Sequence, residues 1–355
     1  MTQGIAPWTA RRFAPPAPVS PDERVAPHDP EPPYLLDDGL VPNEPSRATP
    51  ATASNGVHSL RNERDTLTKS RLDAFRRTMT IVYHPPLGND DLHWNAFGDM
   101  HIAVPFTMAK HFKHQESTIR ENRGLVSLAA AKAHLSASIV VRVQEGRGTA
   151  REISALTQSL IDIVSEQRPE TCWTPALVRR WMFDCGIGID CAGYTQQAYL
   201  AATGLTRSGA NFAQITNESL SGLEQRGFRK LASVADVRPG DIVSLSSPKP
   251  HEVGHRAIVY DQRVASASDM RALLACGGAA QAFAVGGPIR VVELDSSWGC
   301  GGDSQRGGVR RETFLYNERT GEWVQQPDVA GQSVLEPSKR VHGDDLDGFF
   351  RGKGG

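Results

Sequence analysis

The stretch Gly186-Ile187-Gly188-Ile189-Asp190-Cys191-Ala192-Gly193-Tyr194-Thr195-Gln196 constrains this chain more than any other. A glycine-rich approach delivers one cysteine to the start of an amphipathic helix expected over residues 191–202. The first backbone N–H groups of a helix have no partner within it, and the helix dipole is positive there. Both effects stabilise a thiolate, which is the reactive form of cysteine. A thiol that only fills space has no need of that position. Asp190, just ahead, reads as structural: its carboxylate can cap the helix by accepting an early N–H. Its charge would raise the thiol pKa, so it should point away from an active sulfur.

The flanking pattern sets the fold class. Thr174 as N-cap and Pro175 in the first position predict a helix to residue 183. Strands are expected at residues 241–245, 257–261, 289–294 and 309–316, and residues 317–321 form a hairpin turn into Trp323. One helix early, followed by several antiparallel strands, is an α+β layout. It lets a cysteine at a helix end face a histidine on a sheet. Upstream, residues 60–168 read as a mainly helical subdomain. Its expected helices are 62–80, 105–114, 121–136 and 149–167, with a β-rich run at 139–143 and a polar break at 144–148.

Twelve of the 23 prolines fall in residues 1–50. Proline supplies no N–H and disfavours helix at the residue before it, so residues 1–59 are expected to form an extended, disordered head. Residues 331–355 are taken as a C-terminal tail. The catalytic domain is then residues 169–330.

Composition removes several function classes. Net charge is -1 and pI about 6.8, which gives no global basic field for nucleic acid. No apolar run approaches the roughly 20 residues that span a bilayer. The start lacks the basic stretch and apolar core of a secretory signal, and no apolar segment follows Arg11-Arg12. The expectation is synthesis in the cytoplasm, with any export left to a signal-independent secretion or injection machinery that the proline-rich head would engage. Five cysteines are an odd number without a CxxC pair, which argues against a disulfide framework and a zinc site. His111 and His114 could share a helix face, but Lys110 and Lys113 would repel a cation. No cofactor and no metal are called for.

The segment Asp190-Cys191-Ala192-Gly193-Tyr194-Thr195-Gln196, with Tyr199 beyond it, resembles the nucleophile segment of the NlpC/P60 family of papain-like cysteine peptidases. That segment usually reads Asp-Cys-Ser-Gly-aromatic-x-Gln. A second block agrees. Arg238-Pro239-Gly240-Asp241-Ile242-Val243 and then Gly254-His255-Arg256-Ala257-Ile258-Val259-Tyr260 match the family's Pro-Gly-Asp before one strand and Gly-His at the start of the next. The resemblance covers roughly residues 170–325. It implies a nucleophile helix packed on an antiparallel sheet, and roles for three residues.

Cys191 would be the nucleophile and His255 the general base, with His251 as the nearby competitor. The third residue, which orients the imidazole, comes from the next strand in the family. Asp295 stands there, with Glu293 and Ser297 as fallbacks. The implied substrate class is peptidoglycan, at an amide bond of the stem peptide. A deamidase, acyltransferase or protease toxin acting on a protein would use the same cysteine and histidine, and an inactive fold kept for binding is the non-enzymatic alternative. Departures favour caution over substrate: Ala192 replaces the usual serine, Cys172-Trp173-Thr174 lies where a tyrosine-and-glycine stretch is common, and residues 262–288 replace a short hairpin. Such insertions are where specificity loops and lids reside.

Overall fold

The computed structural model describes residues 53–84, 99–107, 113–169, 171–205, 223, 227–245, 254–275, 287–299, 307–325 and 346–352. Thr52–Gly355 forms one compact unit, so the helical block and the strands downstream of it share a body. The class is α+β: helices with antiparallel sheets.

The helical block opens with α1 (Ala53–Thr78), whose last turn carries Arg76 and Arg77 where the helix dipole favours cations. It feeds a two-stranded antiparallel sheet, β1 (Thr80–Tyr83) and β2 (Met100–Ala103). Four helices follow: α2 (Lys113–Glu121), α3 (Arg123–Lys132), α4 (Ala137–Gln144) and α5 (Ala150–Gln167). The α5 start is a complete capping box. Thr149 accepts the Glu152 N–H, and the Glu152 side chain accepts that of Thr149. α6 (Pro175–Asp184) begins at the Thr174 cap with proline in its first turn, and α7 (Cys191–Thr203) runs from Asp190 to Gly204, whose φ of 69° closes the helix in the left-handed region.

Seven strands make the main sheet, in the order β3-β9-β4-β5-β6-β7-β8 with every pair antiparallel. They are β3 (Arg229–Lys230), β4 (Ile242–Leu245), β5 (His255–Val264), β6 (Ile289–Trp298), β7 (Gly308–Asn317), β8 (Trp323–Gln325) and β9 (Leu346–Arg351). α8 (Ala267–Ala275) lies between β5 and β6, inside the expected insertion.

Alternation divides the strands between two cores. Ile242, Ile258, Val309 and Phe350 join the helices, packing with Tyr194, Ala198 and Leu72. Val243, Ala257, Val259, Leu294, Trp298 and Phe314 form the second core with Val234 and Val237. Because both faces are covered, β4 and β5 read as nearly continuous apolar runs rather than a strict two-residue alternation.

Four expectations need correction. Residues 53–59, assigned to the extended head, are the first turns of α1. Residues 139–143 are helical. Ser136 caps α4, and Ile139, Val140 and Val143 make one inward face at helical spacing, while Val141 is 53% exposed. A short apolar run does not separate strand from helix by period alone. Residues 105–107 are extended, not the start of a helix; Pro105 and Thr107 bond to Ile189, and residues 108–112 lie outside the described ones. The segment taken as a tail supplies β9, an interior strand with Phe350 fully buried between β3 and β4. Its apolar pair, Phe349 and Phe350, faces one core each.

Candidate active site

α7 is set in place by three segments around its first turn. Ile189 N–H donates to Pro105 O at 3.1 Å, Asp190 N–H to Gly146 O at 3.0 Å, and Ser297 Oγ to Ile189 O at 2.7 Å. The turn at residues 145–148, the polar break of the sequence, therefore lies directly against the start of α7. Gly193 is required there. A Cβ on it would overlap the Gly146 carbonyl oxygen, a backbone atom with nowhere to move.

Asp190 caps α7 as expected. Its Oδ1 accepts the Gly193 N–H at 2.5 Å, and the carboxylate also takes the Ala192 N–H. Oδ2 faces Arg147 Nη2 at 3.4 Å. Burial pushes the Asp190 carboxyl up to about 6, although Arg147, the two N–H groups and Arg256 all pull the other way. Because Asp190 occupies the Ala192 and Gly193 N–H groups, the helix-start donor left for an oxyanion is the Cys191 N–H, which no backbone hydrogen bond uses among the described residues.

Cys191 is 2% exposed. Its sulfur accepts the backbone N–H of Arg256, the residue after His255. Burial, then the Asp190 charge, pushes the thiol up to about 12; the Arg256 N–H and the guanidinium groups of Arg147 and Arg256 offset part of this. The thiol is neutral at physiological pH in this arrangement.

His255 opens β5. Alternation sets it on the face of Ala257 and Val259, and sets Arg256 with Ile258 on the α7 face. Ile258 pairs with Asp295 across β5 and β6. Continuing that register to the strand start places Trp298 opposite His255, and the two rings stack with centroids 4.3 Å apart. The residue keeps some exposure, but its Nε2 is buried without a hydrogen-bond partner among the described residues. Burial alone pushes the imidazole down to about 3, so it is neutral as well. Sγ is thus bonded to the backbone of the residue that follows His255, while the imidazole stacks on Trp298 with no hydrogen bond to the sulfur.

Asp295 lies elsewhere. It is fully buried and held in a two-pronged ion pair by Arg311, with Nε to Oδ1 at 2.8 Å and Nη2 to Oδ2 at 2.9 Å. The same Nη2 reaches Asp73 Oδ1 at 2.9 Å, and Tyr260 donates to Asp73 Oδ2 at 2.9 Å. On β6 it shares the α7 face, whereas Trp298 shares the His255 face, so Asp295 does not orient the imidazole here. Of the fallbacks, Ser297 is committed to Ile189 O, and Glu293 is half-buried near Arg311, Asp261 and Arg263. His251 and Cys300 lie outside the described residues.

Sequence reasoning missed Arg147, Arg256 and Trp298. Arg256 had a visible signal, a charge inside an apolar strand run. Arg147 had none, since it sits in an ordinary polar turn. No group of three or more His, Cys, Asp and Glu side chains among the described residues could hold a metal ion. No described helix is long and apolar enough to cross a membrane. No family model matches the chain, and no curated protein or solved structure matches it either.

Proposed function

We propose that this chain is a cysteine-dependent amide hydrolase of the NlpC/P60 kind, with a papain-like core, acting on peptidoglycan stem peptides. Cys191 is the nucleophile and His255 the general base. One observation carries the reading. A buried imidazole nitrogen without a partner stands one residue from the N–H that holds a helix-start sulfur. An unpaired buried polar atom costs roughly 1–3 kcal/mol, and such costs persist where a substrate or reacting group completes the bonding.

The chemistry follows from the two neutral groups. In the reacting arrangement the His255 ring leaves Trp298 and Nε2 meets the sulfur. The Cys191 proton passes to Nε2 as Sγ attacks the amide carbonyl, and the Cys191 N–H receives the oxyanion. The imidazolium then protonates the leaving amine. Water, deprotonated by His255, hydrolyses the thioester and restores the thiol. We assign the proline-rich segment ahead of α1, residues 1–52, to engagement of an export or injection machinery that delivers the enzyme to cell wall.

The deciding experiment is digestion of purified peptidoglycan by wild type and Cys191→Ala, read by mass spectrometry. Stem-peptide fragments released by wild type alone are the expected result. No release, with Cys191 still alkylated by iodoacetamide, would replace the cell wall by a protein substrate. The burial of Cys191 and the missing Cys–His bond favour a second reading, an inactive fold kept for binding. No release together with no alkylation of Cys191 would select it.

A further inference from the structure

The Asp190 carboxylate raises the Cys191 thiol pKa, and the turn between α4 and α5 answers it. Arg147 leaves that turn with its guanidinium at 3.4 Å from Asp190 Oδ2, while Oδ1 is spent on the helix cap. The turn itself is fixed to α7 at three further points. Gly146 O accepts the Asp190 N–H at 3.0 Å, Arg147 pairs with Ile189 as an isolated β-bridge, and Gln197 Nε2 donates to Gly148 O at 3.1 Å. Gly193 packs on the Gly146 carbonyl and the Arg147 stem. The guanidinium therefore has a determined position, and its partner is 3% exposed.

We propose that Arg147 is a positioning residue for Cys191: the helical block supplies it to hold the Asp190 carboxylate in its cap geometry and to offset that charge at the sulfur. Arg256 is the second cation of this environment. The inference rests on the reading of Cys191 as a reactive thiol. It gives the helical block a role in the chemistry. The physical argument is charge balance in a site of low dielectric. An ionised Asp190 alone disfavours a neighbouring thiolate, and a guanidinium on its far oxygen reduces the net field.

The test measures the rate of Cys191 alkylation by iodoacetamide at pH 8 without substrate, by peptide mass spectrometry, in a four-member cycle. Arg147→Met should slow labelling about tenfold, equivalent to one unit of thiol pKa. Arg147→Lys, which keeps the charge, should recover most of that rate. Asp190→Asn keeps a good cap and removes the charge, so it should label faster than wild type. Adding Arg147→Met to Asp190→Asn should then slow labelling clearly less than it does in the wild-type background, because the part that acts through the carboxylate is gone and only the direct effect of the guanidinium on the sulfur remains. A structural role for Arg147 would instead slow both backgrounds alike. Equal rates in wild type and Arg147→Met, including no labelling of either, overturn the inference, as does an undiminished loss beside Asp190→Asn. Failure to digest peptidoglycan with these rate ratios intact would sink the proposed substrate and leave the inference standing.

Discussion

Two polar clusters border α7, and they are built on opposite terms. Around Asp295, every carboxylate oxygen is used. Arg311 takes both oxygens of Asp295 and one of Asp73, Tyr260 takes the other, and the guanidinium lies 3.0 Å over the Tyr260 ring. Around Cys191, the sulfur has one backbone donor and the adjacent imidazole nitrogen has none. The first cluster ties α1 to β5, β6 and β7. Burial opposes ionisation of Asp73, but the bonds from Arg311 and Tyr260 and the charges of Arg311 and Arg76 hold its carboxyl below the usual value. In the second cluster burial wins, leaving a neutral thiol and a neutral imidazole. A saturated network stabilises a fold and has nothing left for a substrate. An unsaturated one costs stability and keeps its bonding capacity.

The contrast is most sharply broken by exchanging substitutions between the clusters. His255→Asn should lower kcat by about 10³-fold with the denaturation midpoint unchanged or raised, because it removes an orphaned ring nitrogen. Asp295→Asn should do the reverse. It leaves Arg311 short of a buried partner and should cost about 2 to 4 kcal/mol by urea denaturation, with kcat per folded molecule within about threefold. A collapse of activity in Asp295→Asn at full stability would return that residue to the catalytic set.

Acid gives the next effect. A free histidine titrates near 6.5 and His255 near 3, so the unfolded chain binds the extra proton throughout that window. Stability from His255 is complete above pH 6.5 and is lost as pH falls towards 3, by about 2 to 3 kcal/mol over the first two units. Asp190 runs the other way. Its folded carboxyl, raised to about 6 from 3.8, favours the native state below pH 4, and that contribution is lost as pH rises through 6. Between pH 6.5 and 4.5, thermal melts of His255→Gln should therefore rise relative to wild type, and those of Asp190→Asn should fall. Parallel curves for all three would show that neither group is buried as described.

The smallest effect concerns the wall of the site. Gly193→Ala forces the Gly146 carbonyl outward and should cost about 1 to 3 kcal/mol. It should also slow Cys191 alkylation, because the turn that carries Arg147 moves with it. Unchanged stability would mean that the turn is looser than its bonds imply.

Local chemistry made much of this legible in advance. The Thr149 and Thr174 caps, Pro175, the Asp190 cap and Gly204 bound their helices in the chain itself, because capping partners lie within a few residues. The central strands β4 to β7 were readable from their apolar runs, with ends short by a few residues. α4 was not, since Ile139 to Val143 is β-prone and only packing of one face on the helical core settled it. β9 was not, since 20 residues separate its start at Leu346 from the last described residue before it, Gln325, and no local pattern says between which strands it will insert.

The sequence by itself determined that a cysteine stands at a capped helix start, that a histidine opens a strand, and that the layout is α+β. These are short-range facts of spacing and propensity. Tertiary structure alone decided that Trp298 and not Asp295 faces His255, that Arg311 claims Asp295, and that Arg147 arrives at Asp190 from 43 positions earlier in the chain. Strand register and helix docking are settled by the burial of two cores together. A shift of one residue in β6 would exchange the face of every side chain on it, and no single residue encodes that choice.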